Sequence, residues 1–396
     1  MPAWINFGKI RAGYAEVGSD TDVSPYANNL FYNINSQQFP SPSGIAQPLA
    51  SISGSTVPNA DLRPMRVSEK EFGIELKLFN SILGVDLTYY DKLSSDQILR
   101  AQTSNAGGYL NQLINVGESR NQGWEMLVNV MPLKTQNFTW NAIVNAAYNK
   151  TKVLNLGDDV SDNSITVGTG DFSGELRQVV GQPLGQLYGF GYLRDEQGRQ
   201  VFDAGNGRPL RTATQIPFGS AVPLWVGGIT NNFTYKGLNL SFLIDFKLGH
   251  KMISGTNFNA WRHGLHKGTL PGREEGFVIG DGVNPKGETN TTKSVVQAYY
   301  ETVRSQNVAE PFVYNAGLWQ LRQVSLGYDF TRFLTSVKFI KGLRINAVAN
   351  NVAVLKKWVP NIHPEQFGFP SDNLIGLEAT GLPITRSLGF NMNVKF

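Results

Sequence analysis

This sequence contains no cysteine, few charged residues and no long hydrophobic run. Without cysteine the chain cannot form a disulfide, a zinc–thiolate site or a cysteine nucleophile. Charged residues make up 17% of the chain, which is below the quarter that is usual for soluble globular domains. A transmembrane helix needs about 18 consecutive apolar residues, and the sequence offers no such run.

A dense block of Lys or Arg is also missing, although the net charge is +4 and the pI is near 9.0. This mild, dispersed charge does not favour nucleic-acid binding. The first residues, Met1-Pro-Ala-Trp-Ile-Asn-Phe, have neither the basic n-region nor the apolar h-region of a secretory signal. We therefore expect either a protein that is not exported or the later part of a longer exported one.

A strict two-residue alternation of apolar and polar side chains is the main positive signal. It is clearest in the last segment, ITRSLGFNMNVKF, residues 384–396. Period-two alternation predicts a β-strand with one apolar face. That face covers a core in a soluble protein, whereas in a membrane barrel it meets lipid and the polar face lines the lumen. The apolar positions, interrupted by Arg386, are Ile384, Leu388, Phe390, Met392, Val394 and Phe396.

The same alternation recurs and predicts about ten strands. Asn80 and Ser81 separate two of these segments as a hairpin turn, and the Gly227–Gly228 pair predicts a bend within another. The predicted segments are approximately 4–16, 70–79, 83–90, 123–130, 138–149, 223–235, 238–248, 323–330, 343–351 and 384–396.

The connections between these segments alternate between short and long, which is typical of an outer-membrane barrel with short periplasmic turns and long extracellular loops. The last strand then ends on the periplasmic side. Aromatic residues also cluster near predicted strand ends, as interfacial girdles require. A β-sandwich is the alternative, but it would need turns every 8–12 residues or so. The sequence therefore predicts an all-β fold, the C-terminal part of a large antiparallel transmembrane β-barrel.

Several stretches resemble one family, the SusC/RagA-type TonB-dependent outer-membrane transporters, and they follow the family's order along nearly the whole chain. Two short motifs depart from the family pattern: His363-Pro364-Glu365 stands where Asp-Pro-Glu is frequent, and Asn315-Ala316 where Asp-Ala is common. The stretches are WINFGKIRAGYAEVGSDT, FGIELKLFNSILGVDLTYYDKLSSDQIL, NVGESRNQGWEMLVNV, VGGITNNFTYKGLNLSFLIDFKLGHK, LWQLRQVSLGYDF and LPITRSLGFNMNVKF.

The resemblance implies a barrel of 22 strands filled by an N-terminal plug, so residues 1–396 correspond to a partial barrel without the plug and the earlier strands. It implies TonB-dependent active uptake of oligosaccharides or peptides, TonB acting through the missing N-terminal part, and a SusD-like surface lipoprotein as a lid. It also implies location in the outer membrane of a Gram-negative bacterium. The alternatives are a non-functional fragment, a small closed barrel acting as a passive porin-like pore, and a surface adhesin.

Aromatic residues in the predicted loops are the candidate contacts for a substrate or partner, because rings can stack on sugars or peptide side chains. Packing of the loops against one another is the alternative explanation. Phe31, Phe367 and Phe369 belong to the same loop clusters. The candidates are Tyr26, Tyr32, Phe258, Trp261, Tyr299, Tyr300 and Trp358.

Charged residues on the polar faces of the strands form a second predicted set, which we expect to hold a plug rather than to bind substrate. They are Glu71, Glu75, Lys77, Asp86, Asp245 and Lys247.

Chemistry beyond transport has weak support in the sequence. His263 and His266 could ligate a metal on a helix, but glycines beside them favour a solvated loop. The segment from Gly280, GDGVNPKGETN, has an acidic, Gly-rich character without the spacing of a calcium loop. The four histidines have no serine-containing nucleophile elbow near them. We therefore predict no enzyme, no metal and no cofactor.

Overall fold

A computed structural model describes residues 2–20, 23, 25–40, 42–52, 56–102, 106, 109–115, 117–157, 163–170, 174–334, 339–366 and 375–396. Its main feature is one antiparallel sheet of ten strands, which follow one another in chain order across the sheet. The ten strands are β1 (Ile5–Ser19), β2 (Met65–Leu78), β3 (Leu83–Ser95), β4 (Glu118–Lys134), β5 (Phe138–Asn155), β6 (Trp225–Tyr235), β7 (Leu238–Leu248), β8 (Leu318–Asp329), β9 (Gly342–Lys357) and β10 (Ser387–Lys395).

The register of the strands brings the apolar positions into continuous rows on one face of the sheet. Because side chains alternate between the faces of a strand, one residue of slip would move each apolar set to the opposite face. Pairing at matched positions therefore fixes the whole face at once. One such row crosses seven strands, from β2 to β8, and consists of Leu76, Val85, Val128, Val144, Ile229, Ile244 and Leu321.

This apolar face is exposed rather than covered by another layer of the described protein. Ile10 on β1 is 72% exposed and Phe390 on β10 is 87% exposed. Contiguous apolar surface of this extent would be a liability in water, and it is the expected surface of a wall that faces lipid. The all-β membrane-barrel architecture predicted from the sequence is thus confirmed in its strand number, pairing and amphipathic faces.

Aromatic rings border the apolar rows at both ends of the strands. At the long-loop end, ring centroids of Tyr89 and Trp124 lie 5.0 Å apart and those of Tyr148 and Trp225 lie 4.9 Å apart. At the short-turn end, Trp140 stacks on Phe233 at 5.7 Å, and further rings follow along this end in Phe138, Tyr328 and Phe330.

The spacing of these two rows matches the apolar part of a membrane. Trp140 and Tyr148 are eight positions apart on β5, and Trp225 and Phe233 are eight positions apart on β6. At about 3.4 Å per residue this is roughly 27 Å along a strand, and a strand tilt of about 40° reduces it to roughly 21 Å of height. An outer-membrane barrel carries an apolar band about 25 Å tall between two aromatic girdles.

Connections between the strands alternate in length, as predicted. The short ones span 79–82, 135–137, 236–237 and 330–341, and they lie at one end of the sheet. Phe79, Asn80 and Ser81 all have positive φ, and so do Lys236 and Gly237. Positive φ at successive turn residues matches the right-handed twist of the flanking strands, which explains these tight hairpins.

At the Gly227–Gly228 pair, where the sequence predicts a bend, β6 stays paired with both neighbours. The strand pairs with both β5 and β7 through this point without a shift of register. A Cβ atom at position 227 would collide with the carbonyl oxygen of Asn145 and the ring of Phe246. Glycine here allows close packing across the sheet.

The long connections carry their own secondary structure. Helix α1 spans Gly255–Arg262 and helix α2 spans Val296–Ser305. A four-stranded sheet contains Ser164–Thr169, Gly174–Val179, Gln186–Gly189 and Ile216–Ser220, and a three-stranded sheet contains Val313–Asn315, Lys251–Ser254 and Leu377–Glu378. The remaining short strands are Tyr32–Pro40, Ala46–Ile52, Thr56–Val57, Ile98–Gln102, Asn111–Asn115, Phe277–Val278 and Ser294–Val295, and the 3-10 helices are Lys267–Thr269, Glu310–Phe312 and Thr331–Phe333.

Within the described residues, β1 and β10 occupy the two edges of the large sheet, and each pairs with one neighbour in it. Unpaired backbone groups are not tolerated in lipid, so these edges need partners there. The division into a partial barrel with earlier strands and a plug elsewhere stays a prediction. No helix among the described residues is long and apolar enough to cross a membrane.

The orientation of the two faces can be tested with neighbouring positions on β4. Val128 belongs to the apolar row, whereas Asn129 lies on the opposite face beside Gly84. We expect Val128→Arg to destabilise the full-length protein in lipid vesicles by about 2–4 kcal/mol, because an arginine at mid-depth faces hydrocarbon. Asn129→Arg should destabilise the protein much less. Urea unfolding followed by tryptophan fluorescence measures the free energy of unfolding of both variants. Equal losses for the two variants would contradict the assignment of the faces.

Candidate functional site: the lumen wall and the cap

The polar face of the sheet carries an ion pair that reaches across a strand. Arg11 on β1 donates to both carboxylate oxygens of Asp86 on β3, at 3.0 and 2.6 Å, and also to the hydroxyl of Thr88. The guanidinium passes over β2 at Gly73, where any side chain would collide with it. Glycine on β2 is therefore what allows a bidentate contact between strands that are not neighbours.

Arg11 and Asp86 border a concave depression of about 580 Å³ on the lumen wall. The depression extends from β1 to β7, and its other polar residues include Glu125, Asn145 and Lys247. Both signs of charge are present among apolar residues, so the depression has no single dominant charge. Such a surface fits a hydrated solute or a polar plug better than an apolar ligand.

A second network joins the lumen wall to the loop after β9. Arg322 on β8 donates to Asp245 on β7 at 2.7 Å and to Glu365 at 3.0 and 2.9 Å. The Nζ atom of Lys247 lies 2.6 Å from Glu365. Burial alone would oppose ionisation of Glu365, but Lys247 and Arg322 outweigh it and hold the pKa of the carboxyl below its usual value. The carboxylate thus stays charged and fixes its loop to two strands.

Neighbouring polar groups continue this attachment. The Nε2 atom of His363 lies 3.0 Å from the side-chain oxygen of buried Gln320, and Lys357 donates to the carbonyl of Ile362 at 2.6 Å. At the end of β7, burial, assisted by the charge of Lys247, lowers the pKa of His250 to about 4. His250 is therefore neutral near pH 7.

The alternation of the sequence does not predict the position of Arg322 on the polar face. Continuing the alternation back from Val324 would place residue 322 on the lipid-facing side. The register shifts at this point, so that Leu243 and Ile244 of β7 oppose Gln323 and Leu321 of β8. An extra residue of this kind re-aims a side chain, and here it directs Arg322 toward the polar network.

Above the wall, the long connections pack into one assembly, which we call the cap: residues 163–170, 174–224, 249–317, 358–366 and 375–380. Its main hydrophobic cluster draws side chains from the connections after β5, β7 and β9. A buried polar contact supports it: Glu378 accepts hydrogen bonds from the hydroxyls of Ser254 and Thr256 at 2.9 and 2.7 Å. The cluster contains Leu176, Leu187, Ala221, Ile253, Phe258, Val303, Val308, Phe312 and Leu377.

Four of the seven predicted loop aromatics meet in the cap. Phe258 and Tyr300 are buried, with 4% and 8% exposure. Trp261 contacts Tyr300 edge-on with centroids 5.5 Å apart, and Tyr299 lies 5.2 Å from Tyr300. These rings clearly hold the cap together, and a contact of Trp261, Tyr299 or Tyr300 with a ligand stays a prediction.

The other three predicted aromatics lie apart from this cluster. Tyr26 and Tyr32 belong to the connection between β1 and β2 and are 76% and 72% exposed. Trp358 follows β9 and stacks under the ammonium of Lys356, 4.8 Å from its centroid. Phe367 and Phe369 fall outside the described residues.

In the described part of the chain, which includes His263, His266 and the segment from Gly280, no group of three His, Asp or Glu side chains is placed to hold an ion. His266 instead accepts a hydrogen bond from the backbone of Gly268 at 3.0 Å. In the segment from Gly280, Asn284 accepts from the backbone of Lys286 and Glu288. These contacts are those of turns.

Comparison with known families accounts for the combination of an amphipathic sheet and a loop cap. Residues 3–352 match the family described as "TonB dependent receptor-like, beta-barrel". The chain belongs to this family. TonB-dependent receptors are transporters of the outer membrane and not enzymes, and the predicted resemblance to the SusC/RagA type is confirmed by the relatives below.

TonB-dependent receptor P3 of Formosa agariphila is 23% identical over 424 residues, covering 99% of this chain and 40% of the relative. TonB-dependent receptor SusC of Bacteroides thetaiotaomicron is 21% identical over 407 residues, with 98% and 37% covered. The chain thus spans about two fifths of the length of these relatives. Among solved structures, the RagAB peptide transporter superposes with a TM-score of 0.74 at 17% identity, covering 99% of this chain and 41% of that one.

The attachment of the cap through Glu365 generates a prediction. We expect Glu365→Gln to loosen residues 358–366 by roughly 1–3 kcal/mol at pH 7, because Arg322 and Lys247 lose a partly buried anionic partner. Since the pKa of Glu365 is lower in the folded protein, its contribution is fully present above the unfolded value near 4.5 and is lost as pH falls through the folded value. Hydrogen exchange of this loop measures both effects.

Glu274 supplies the control, because it is an exposed cap residue that forms no ion pair with any described residue. Glu274→Gln should leave exchange of 358–366 unchanged. If Glu365→Gln exchanged like the wild type at pH 7, the network would not be what fastens this loop.

Proposed function

We propose that this chain forms barrel wall and cap of an outer-membrane nutrient importer of a Gram-negative bacterium, driven by TonB and closed by a SusD-like surface lipoprotein. The observation that carries the proposal is the cap itself, which is packed from connections at one end of the sheet and tied to the lumen wall through Arg322 and Glu365. A preformed structure above a polar lumen suits capture of a solute before it passes through the barrel. TonB would act through a part of the protein outside this chain.

The surface of the cap supports a lipoprotein lid. Apolar side chains are exposed around α1 and at the start of α2, where Leu265 is 80% exposed, Leu270 56% and Val295 67%. Apolar groups of this size on a cap surface, beside polar residues, are typical of a protein–protein contact. RagAB, a solved structure with this fold, is named as a peptide transporter.

For the substrate we propose oligosaccharides or peptides too large for passive pores. The lumen wall is lined with Arg11, Asp86, Asn145 and Lys247, which can hydrogen-bond hydroxyls and amides. The aromatic side chains Tyr26, Tyr32, Tyr299 and Trp358 of the loops offer stacking surfaces. Among the relatives, RagAB is named for peptides, and both substrate classes share the chemistry of a polar chain with apolar faces.

Deletion of the gene in the bacterium that encodes this chain tests the proposal. We expect loss of uptake of fluorescent maltoheptaose or of a fluorescent decapeptide, and loss of the same uptake in wild-type cells treated with a protonophore. A tagged full-length protein should copurify with a surface lipoprotein from detergent extracts.

Three outcomes would count against the proposal. Uptake that persists with the protonophore but disappears on deletion would indicate a passive pore. Uptake of both probes unaffected by deletion would remove the importer function, and purification without a lipoprotein would remove the lid.

A further inference from the structure

An open cavity of about 550 Å³ lies in the cap between α1, α2 and the segment that joins α1 to Phe277–Val278. Its volume is in the range of small-molecule sites. The cavity is separate from the lumen depression, because the two share no lining residue. Its principal side chains are Trp261, Arg262, Arg273, Val295, Tyr300 and Glu301.

Aromatic rings form a rigid wall of this cavity. The Nε1 atom of Trp261 donates to the carbonyl of Tyr300 at 3.3 Å, and the hydroxyl of Tyr300 donates to the carbonyl of Pro271 at 3.0 Å. Phe312 packs edge-on against Trp261 from the cap core, with centroids 5.8 Å apart. The rings are therefore held in place before any ligand arrives, which lowers the entropic cost of binding.

Arg273 is also held in a defined orientation. Its Nε atom donates to the carbonyl of Thr269 at 2.7 Å, and Nη2 donates to the carbonyl of Gly264 at 2.6 Å and to the hydroxyl of Thr269 at 2.7 Å. Gly264 has a φ of +68°, and a Cβ there would press on Nη2 at 3.0 Å. The Nη1 amino group of the guanidinium has no hydrogen-bond acceptor among the described residues.

The positive charge at the cavity is not neutralised by ion pairs. Neither Arg262 nor Arg273 pairs with a carboxylate of any described residue, whereas nine other arginines of the described chain do. The one acidic residue in the lining, Glu301, accepts a hydrogen bond from Gln297 at 2.9 Å. Two arginines thus face the cavity against one carboxylate.

We infer that this cavity binds a carboxylate group of the transported solute, with the adjoining ring or side chain of the solute packed on Trp261. A guanidinium held by its Nε and Nη2 atoms presents its remaining donors to an anion without further ordering, and arginine–carboxylate hydrogen bonds are the strong, directional class. The aromatic wall favours a sugar ring or an aliphatic side chain next to the charge. The inference rests on the proposed import function and specifies its substrate class as acidic.

Two sources could supply such a carboxylate, a uronic acid in an oligosaccharide or the C-terminus of a peptide, and binding probes separate them. Isothermal titration of the full-length transporter in detergent would use trigalacturonate against neutral maltotriose, and a trialanine peptide against its C-terminal amide. We expect one acidic probe to bind at least about tenfold more tightly than its neutral counterpart, which is the lower end for one hydrogen bond to a charged group.

Three variants assign that preference to the cavity. Arg262→Gln should weaken the preferred acidic probe by about threefold to tenfold and leave the neutral probe unchanged. Glu301→Gln should tighten the acidic probe, because the opposing charge is removed. Arg304→Gln is the matched control: Arg304 also lies in the last turn of a cap helix but does not line the cavity, so binding should not change.

Equal binding of acidic and neutral probes would overturn the inference, and so would equal losses in Arg262→Gln and Arg304→Gln. Loss of lipoprotein copurification in Arg262→Gln with unchanged probe binding would show a partner contact instead, and would also overturn it. Because titration requires no energy source, these failures are distinguishable from failure of energised uptake. An importer that takes up only neutral probes would retain the proposed function without this site.

Discussion

Backbone hydrogen bonding without water is the constraint on which the rest of this structure depends. In hydrocarbon each N–H and C=O group must find a protein partner, which leaves paired strands as one of the two spanning solutions. Ten strands here pair in chain order, and their registers place Val85, Val128 and Val144 side by side. The ladder therefore determines the lipid-facing surface and, on the opposite face, the polar lumen wall.

The same antiparallel strand pairing gives the sheet two different ends, one with short turns and one with long connections. Tight turns such as 79–82 and 236–237 use little chain at one end. At the other end the connections are long enough to build strands, two helices and a hydrophobic cluster of their own. Ion pairs from Arg322 and Lys247 to Glu365 join this cap to the wall.

Strand positions and the lipid-facing side were predictable because alternation depends only on neighbouring residues. The orientation of Arg322 was not predictable, because a single extra residue in β8 inverts the alternation at that point. The sequence could not predict the roles of Phe258 and Tyr300 either. An aromatic residue in a long connection has the same sequence pattern whether it packs against other loops or binds a ligand. Only its burial in the structure distinguishes the two roles. The spacing of residues in the sequence also could not show that Gly73 leaves room for Arg11 to reach Asp86. That contact joins strands that are not neighbours in the sheet.

The depth of the sheet in a bilayer is the most direct test of this account. Single-tryptophan forms of the full-length protein, in vesicles whose phospholipids carry bromine near the headgroup or at mid-chain, would report depth by quenching. We predict that Val144→Trp is quenched best by mid-chain bromine, whereas native Trp140 and Trp225 are quenched best near the headgroup. If Asn145→Trp, on the opposite face, were quenched more strongly than Val144→Trp, the assignment of lipid and lumen faces would be wrong.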